Sequence, residues 1–291
     1  MDETALQRLR DLLDEQIALL EHEAIARCDS RRGLRERTGS LLEAAFLDLA
    51  IRLAPDLSVE IGAHEASFSE RLKAGVANLR AVAFEANPYV YARHADRLQR
   101  PESGVDYRHA AICDHDGSVE FRIPVKRAKG ALRRENAISS LLLRANAEFE
   151  YETLMVPAAT LDTALGPRPT VRAVAWVDAE GAQKEILAGG RQFFRTVEAV
   201  YIEVERQQVW RDQSVDREIA RRLARFSLVP VMRDNLARPQ FNEVYIRPAN
   251  AIVGAALPTI EAYVEALRRL LGGATDQAAE GPQSLLCTGG Q

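Results

Sequence analysis

Cysteine is scarce in this chain of 291 residues: there are three, Cys28, Cys113 and Cys287. Their odd number and wide spacing exclude a disulfide framework and the paired spacings of a zinc site, and point to a reducing cytoplasm. Lysine is also rare, four of 38 basic residues, which reads as coding composition and not as function. No apolar run approaches the ~18 residues of a membrane span. The first residues are charged and helical in pattern, unlike a secretory leader. An excess of positive charge is missing too. Lys+Arg is 38 against Asp+Glu 42, a net charge of -4, whereas a protein built on nucleic-acid backbone contacts would be basic. What is present is apolar material, 47% of the residues, enough for a packed core and incompatible with wholesale disorder. The length suits one large α/β domain.

The chain opens on two helical stretches. In residues 3–27, Leu6, Leu9, Leu13, Ile17, Leu20 and Ala24 fall at three- and four-residue steps and form one apolar stripe. The chain's own core, a lid contact or a second copy must cover such a stripe, and its spacing also suits a coiled-coil seam. A homodimer contact through residues 3–54 is expected. A second helix runs from about 34 to 54 and ends at Pro55. Strands then alternate with helices: strands at 57–61, 79–84 and 105–112, helices at 66–75 and 88–98. Residues 118–125 alternate as a further strand. Residues 126–150, basic at first (Arg127, Lys129, Arg133, Arg134), form an excursion of the kind that makes a lid or substrate wall. A short strand at 153–156 stops at Pro157. The apolar run 171–177 reads as a central parallel strand. A helix over 180–188, a strand over 199–204, a helix near 215–225, an antiparallel edge pair at 226–232 and 241–247, and a helix over 258–271 complete the pattern. This order predicts an α/β fold with a doubly wound, mostly parallel sheet. The expected organisation is an N-terminal helical extension (1–55), the sheet domain (56–250), a C-terminal helix (251–272) and a disordered tail (273–291).

In such sheets ligands bind beyond the carboxyl ends of the strands. Gly62, with Ala63 and His64, follows the first strand, and Glu85 ends the second, 23 residues on, where a carboxylate can accept from both hydroxyls of a ribose. The dinucleotide pattern Gly-x-Gly-x-x-Gly fails, because His64 and Ser67 stand where its second and third glycines belong. A Gly-Lys-Ser/Thr phosphate loop is also missing. A nucleoside cofactor without phosphates fits better, and S-adenosylmethionine is one. A second cluster, Asp178-Ala179-Glu180-Gly181, follows the most apolar strand, and Glu203 and Glu205 share one side of its neighbour. Carboxylates gathered at one edge repel and need partners. Glu180 can alternatively be read as the acidic first turn of a helix.

Several motifs resemble the FkbM family of S-adenosylmethionine-dependent methyltransferases. Val59-Glu60-Ile61-Gly62-Ala63-His64 resembles the family's D-V-G-A-N, and Ala83-Phe84-Glu85-Ala86-Asn87-Pro88 its A-F-E-P-x-P. Ala110-Ala111-Ile112, Ser139-Ser140-Leu141 and Thr160-Leu161-Asp162 also match. Trp176-Val177-Asp178-Ala179-Glu180-Gly181, followed by Ile186-Leu187-Ala188-Gly189, resembles K-I-D-V-E-G-x-E-x-x-V-L-x-G, and Tyr201-Ile202-Glu203 the closing acidic strand. The likeness covers about residues 56–247. The departures are Glu60 for Asp, His64 for Asn, Ala66 for a common glycine, Trp176 for Lys and Gln183 for Glu.

The resemblance implies a Rossmann-like class I methyltransferase that methylates a hydroxyl of a small-molecule natural product, sugar or glycolipid. The residues expected at the cofactor are Glu60, Gly62, Ala63, His64, Phe84, Glu85, Ala86, Asn87, Ala111 and Asp178. The candidate base is Asp178, with Glu203, Glu180 and His64 as alternatives. A divalent metal shared by Asp178 and Glu203 is a secondary reading, for which the sequence identifies no third ligand. A module that binds the cofactor without turnover, and a nucleic-acid methyltransferase using the basic run, are the competing classes; the acidic balance argues against the latter.

Overall fold

A computed structural model describes residues 3–26, 31–128, 130–145, 149–167, 171–235 and 239–279; for 22–26, 31, 32, 34 and 272–279 it describes the backbone alone. Cys28, Lys129, Cys287 and residues 280–291 of the expected tail lie outside the described residues.

Seven strands form the central sheet: β1 (Leu57–Ile61), β2 (Arg80–Glu85), β3 (Val105–His109), β8 (Ala173–Val177), β9 (Ala199–Glu205), β10 (Val229–Arg233) and β11 (Gln240–Ile246). Their order is β10-β11-β9-β8-β1-β2-β3. The chain builds outward from β1 to β3, then crosses back to place β8 on the other side of β1. The switch point therefore lies between β1 and β8, which pair in parallel from Leu57 opposite Ala173 to Ile61 opposite Val177. The β1, β8 and β9 strands are buried almost throughout, as an all-parallel centre requires. The predicted antiparallel edge pair forms, but β11 inserts between β9 and β10, so the later strand is the inner one.

Two expectations change in the middle of the chain. The third predicted strand splits at Ala110: β3 stays in the main sheet, and β4 (Ala111–Cys113) leaves it. The β4 strand joins a second sheet of order β4-β7-β5-β6, with β5 (Gly117–Arg127), β6 (Gly130–Ala131) and β7 (Phe149–Thr160). The short strand expected to stop at Pro157 is thus a 12-residue strand that runs through it. Its partner β5 buries Phe121 and Ile123 against Val156 and Ala111 in a small core of their own.

Helices α1 (Glu3–Ala26), α2 (Arg31–Leu53), α3 (Ser67–Gly75), α4 (Pro88–Leu98) and α9 (Asn250–Ala279) share one hydrophobic core with one face of the sheet. Helices α5 (Leu161–Leu165), α6 (Gln183–Gly189), α7 (Arg191–Phe194) and α8 (Asp216–Arg225) pack on the other. The α9 helix starts eight residues before the predicted 258 and continues through Pro258 to Ala279, into the stretch expected to be disordered. The buried stripe of α1 is turned from the predicted one: Leu9, Leu12, Gln16 and Leu20 face inward, while Leu6, Leu13 and Ile17 are only partly covered. Gln16 is fully buried because its amide donates to the carbonyls of Leu12 and Val231. The chain's own α9 and β10 cover this stripe. Among the described residues no helix is long and apolar enough to cross a membrane.

The α2 helix is anchored by aromatic packing. Trp176 of β8 stacks on Tyr201 of β9 at 3.7 Å between ring centroids, and Phe46 and Phe68 close on the pair at 5.2–6.1 Å. Trp176, where the family carries Lys, is therefore part of the joint between sheet and helices. Replacing Phe46 by Ala is expected to cost about 3–5 kcal/mol in one cooperative urea transition. Two separate transitions would show instead that residues 1–55 fold as an independent unit.

Candidate active site

The cofactor-side cleft opens at the switch point. It encloses about 780 Å³, counting its open mouth, and its walls include Ile61, Gly62, His64, Phe84, Glu85, Ala86, Asn87, Ala111, Asp178 and Glu180. Gly62 turns the chain out of β1 with φ +75°, and a Cβ there would stand 1.8 Å from the carbonyl oxygen of Asp178. The glycine is thus required first by the close approach of β8. The next turn uses His64 and Ala66 at φ +48° and +59°, the left-handed region, to which the family's Asn and Gly are better suited.

Glu85 is 7% exposed, and its two oxygens accept from the backbone amides of His64 (2.8 Å) and Asn87 (2.6 Å). Burial raises its pKa and these amides oppose the rise. Each oxygen keeps a lone pair for a further donor. Asn87 caps α4 through Oδ1 and donates from Nδ2 to the carbonyl of Arg134 and to Ser139. In this way the excursion becomes a wall of the cleft: Asn136, Ala137, Ser139, Ser140 and Leu141 all line it. Ser140 also donates to the carbonyl of Glu180. Two members of the basic run are engaged elsewhere, Arg134 with Glu152 and Arg127 over the ring of Phe149.

Two predicted cofactor residues do not reach the cleft. Ala63 is buried, its amide bonded to the carbonyl of Phe84. Glu60 points beneath α3, where Ala66 at the N-cap has no side chain able to cap, and accepts from the amide of Ser69. His64 lines the cleft on the Glu85 side, its ring beside that of His94 and close to Glu65, and is not grouped with Glu180, Glu203 and Glu205.

Beyond β8 and β9 the carboxylates do converge. Asp178 and Glu203 lie close enough to shift one another's acidity, and Glu180, Glu203 and Glu205 bring oxygens within 4.8 Å of one another. Burial, reinforced by the charges of Asp178, Glu180 and Glu205, raises the Glu203 pKa well above the usual carboxylate range. Burial also raises Asp178, with Glu203 opposing the rise. Glu180 is pushed up to about 8 and Glu205 to about 7, in each case first by burial and then by Asp178. Gly181 at φ +85° admits the ring of the buried Trp210, which closes this corner; a Cβ there would lie 2.7 Å from the ring.

On the other side of Asp178 lies a second, polar chamber of about 1180 Å³, also open to solvent. It is walled by Arg35, Ser40 and Glu43 of α2 together with Tyr201, Glu203 and Asp234. Glu43 and Asp234 come from distant parts of the chain, and no local motif marks them. Asp178 borders both cavities.

The sheet order, the cleft at its switch point and the glycine turn define a Rossmann-like nucleoside-binding α/β protein. The model of the methyltransferase FkbM domain matches residues 60–242, well over half of the chain, and the chain belongs to that family of S-adenosylmethionine-dependent methyltransferases. No curated protein matches it in sequence. Solved structures resemble it distantly. The precorrin-6y C5,15-methyltransferase of Geobacter metallireducens is 12% identical, with 65% of this chain and 78% of that one covered and a TM-score of 0.33. The magnesium protoporphyrin IX methyltransferase of Synechocystis, solved with bound S-adenosylmethionine, is 10% identical over 72% and 79%, with a TM-score of 0.39. Human N-acetylserotonin methyltransferase, also solved with S-adenosylmethionine, is 8% identical with a TM-score of 0.38; 72% of this chain matches 52% of its length. The cofactor is S-adenosylmethionine. The cleft fits it: a buried carboxylate stands ready for a ribose, and apolar Phe84, Ala111 and Ile112 offer a wall for a base.

Burial pushes the Glu60 carboxyl up to about 7, against the amides of Ser69 and Phe68. Its native pKa lies above its unfolded one, so the native state binds more protons between about pH 4.5 and 7, and stability falls as pH rises through that window. Urea unfolding of wild type and Glu60→Gln at pH 4.5 and 8 should show wild type losing on the order of 3 kcal/mol more than the variant. Equal losses would mean that the α3 amides keep Glu60 ionised throughout.

Proposed function

We propose that the protein is an O-methyltransferase that methylates a hydroxyl of a small-molecule natural product, sugar or glycolipid. The observation that carries this reading is Asp178, one side chain bordering both the cofactor cleft and the polar chamber. S-adenosylmethionine supplies an electrophilic methyl group at its sulfonium. Glu85 accepts the ribose hydroxyls, and Gly62, His64, Phe84, Ala86, Asn87 and Ala111 shape the rest of the cofactor's bed. The acceptor enters the chamber, where polar groups of α2 hold it. Asp178 takes the hydroxyl proton as the oxygen attacks, with Glu203 beside it in the chamber wall. Glu180 and His64 stay alternatives for the base. Glu180 borders the cleft, whereas His64 sits on the Glu85 side and belongs better to the cofactor.

Arg127 and Arg134 of the basic run are engaged within the chain, which weakens the nucleic-acid reading. A homodimer through residues 3–54 rests on the partly covered Leu6, Leu13 and Ile17, since the deeper stripe of α1 is filled from within. A cytoplasmic location rests on the cysteine pattern.

Calorimetry should detect S-adenosylhomocysteine binding to the wild type, weakened by about 1–3 kcal/mol in Glu85→Ala. No binding to the wild type would remove the cofactor assignment. Across a panel of hydroxylated sugars and polyketides, release of S-adenosylhomocysteine should identify an acceptor. With that acceptor, Asp178→Asn should bind the cofactor within a few fold of wild type yet turn over ~10²-fold more slowly. Undiminished turnover would move the base to Glu180 or His64.

A further inference from the structure

Alignment and one base suffice for methyl transfer to a hydroxyl, yet the edge beyond β8 and β9 holds more acid than that. Glu180, Glu203 and Glu205 converge within 4.8 Å, and Glu203 and Glu205 each have a buried oxygen with no hydrogen-bond partner, Oε2 and Oε1, while Glu180 has the indole N–H of Trp210 nearby as a donor. Glu205 is fully buried and Glu203 is 7% exposed. Orphaned carboxylate oxygens in a protein interior are costly, and carboxylates gathered this closely repel as well. The other oxygen of Glu205 accepts from Gln213, so its side chain is held in place while the orphan stays open.

The cations that act most strongly on this edge are Arg144, on Glu180 and Glu205, and Arg35, on Asp178. Both have further engagements: Arg144 lies over the rings of Trp210 and Phe149, and Arg35 donates to Gln240. With Asp178 included, four carboxylates face two guanidiniums. If all were ionised, two negative charges would stay uncompensated, which is the charge of one divalent cation.

We propose that Glu180, Glu203 and Glu205 form a binding site for one divalent cation of the hard class: magnesium, manganese or calcium. The donors are all carboxylate oxygens, with neither histidine nor cysteine among them, a set that suits these ions and not zinc or copper. Around an octahedral ion, ligand oxygens stand about 3 Å apart when adjacent. When opposite, they stand about 4.2 Å apart on magnesium and about 4.8 Å on calcium, from ion–oxygen distances of roughly 2.1 and 2.4 Å. The three carboxylates' oxygens all lie within 4.8 Å of one another, the span of the larger ion, and magnesium would draw them closer. Three protein ligands leave about three positions for water or for oxygens of a bound molecule. Glu180 borders the cofactor cleft and Glu203 the polar chamber, so the site lies in the wall between them. The Asp178–Glu203 pair supplies two ligands in the sequence-based reading; in the structure Glu180 and Glu205 complete the set, and Asp178 is left beside it as the base.

The test uses the full chain, freed of metal with EDTA and titrated with manganese under electron paramagnetic resonance. One manganese should bind per chain and be displaced by magnesium or calcium. Glu203→Gln and Glu205→Gln should each weaken it roughly tenfold or more. Glu65→Gln, in the separate His64–Glu65–His94 group, should leave it unchanged. Circular dichroism and S-adenosylhomocysteine binding check that the variants are folded. Failure to bind manganese at millimolar concentration would overturn the site. So would binding that survives both glutamine variants, or binding lost only in Glu65→Gln. Because no methyl transfer is needed, these outcomes are separate from those that test the proposed reaction.

Discussion

Between the ends of β1 and β8 there is no room for a side chain. A Cβ on Gly62 would collide with the carbonyl oxygen of Asp178, while the amide of Asp178 donates to the carbonyl of Ile61. This approach puts the turn after β1 and the acidic turn after β8 side by side. Glu85, one strand further on, binds the His64 amide and so ties the second strand to the same turn. Cofactor cleft and acid cluster are neighbours because two parallel strands meet at the switch point, and that meeting demands glycine at one position.

Negative charge at this edge is held by different means at different places. Glu60 lies under the amino end of α3, Glu85 binds two amides, and Asp234 binds the amide and side chain of Asn242. Those carboxylates have found backbone or amide donors. Around Asp178 such donors are fewer: Glu205 has the amide of Gln213, and otherwise the carboxylates lean on one another and on two arginines. Burial makes each of them a weaker acid than it is in water, so the edge holds protons readily. A group that takes up and gives up a proton, standing between two cavities, is suited to acid–base work.

The helices before β1 belong to the domain they precede. Phe46 of α2 packs on Phe68, Trp176 and Tyr201, and the polar face of the same helix walls the chamber. Packing on one face positions chemistry on the other. The family pattern starts near β1, so the wall presented by α2 belongs to the part of the chain outside that pattern. In the proposed reading the acceptor side is therefore formed partly by residues outside the family pattern.

Local pattern was enough for the alternation of strands and helices, for Glu85 at the end of β2, and for the shared side of Glu203 and Glu205. Each of these depends on spacing within one element, which the order of residues determines directly. The sequence also placed Asp178 at the end of the central strand. It could not distinguish a third strand from two, because Ala110 carries no turn signal and the break comes from β4 pairing with β7, nearly fifty residues away. It directed Glu60 to the cofactor, whereas the unfilled cap of α3 draws it beneath the helix. It placed the inward stripe of α1 on Leu13 and Ile17, whereas packing on α9 and β10 selects Leu12 and Gln16. The chamber was illegible because its walls come from α2, β9 and the ends of β10 and β11, and only folding brings them together. A motif records what neighbours along the chain require of each other, and a cavity is made by residues that are neighbours only in space.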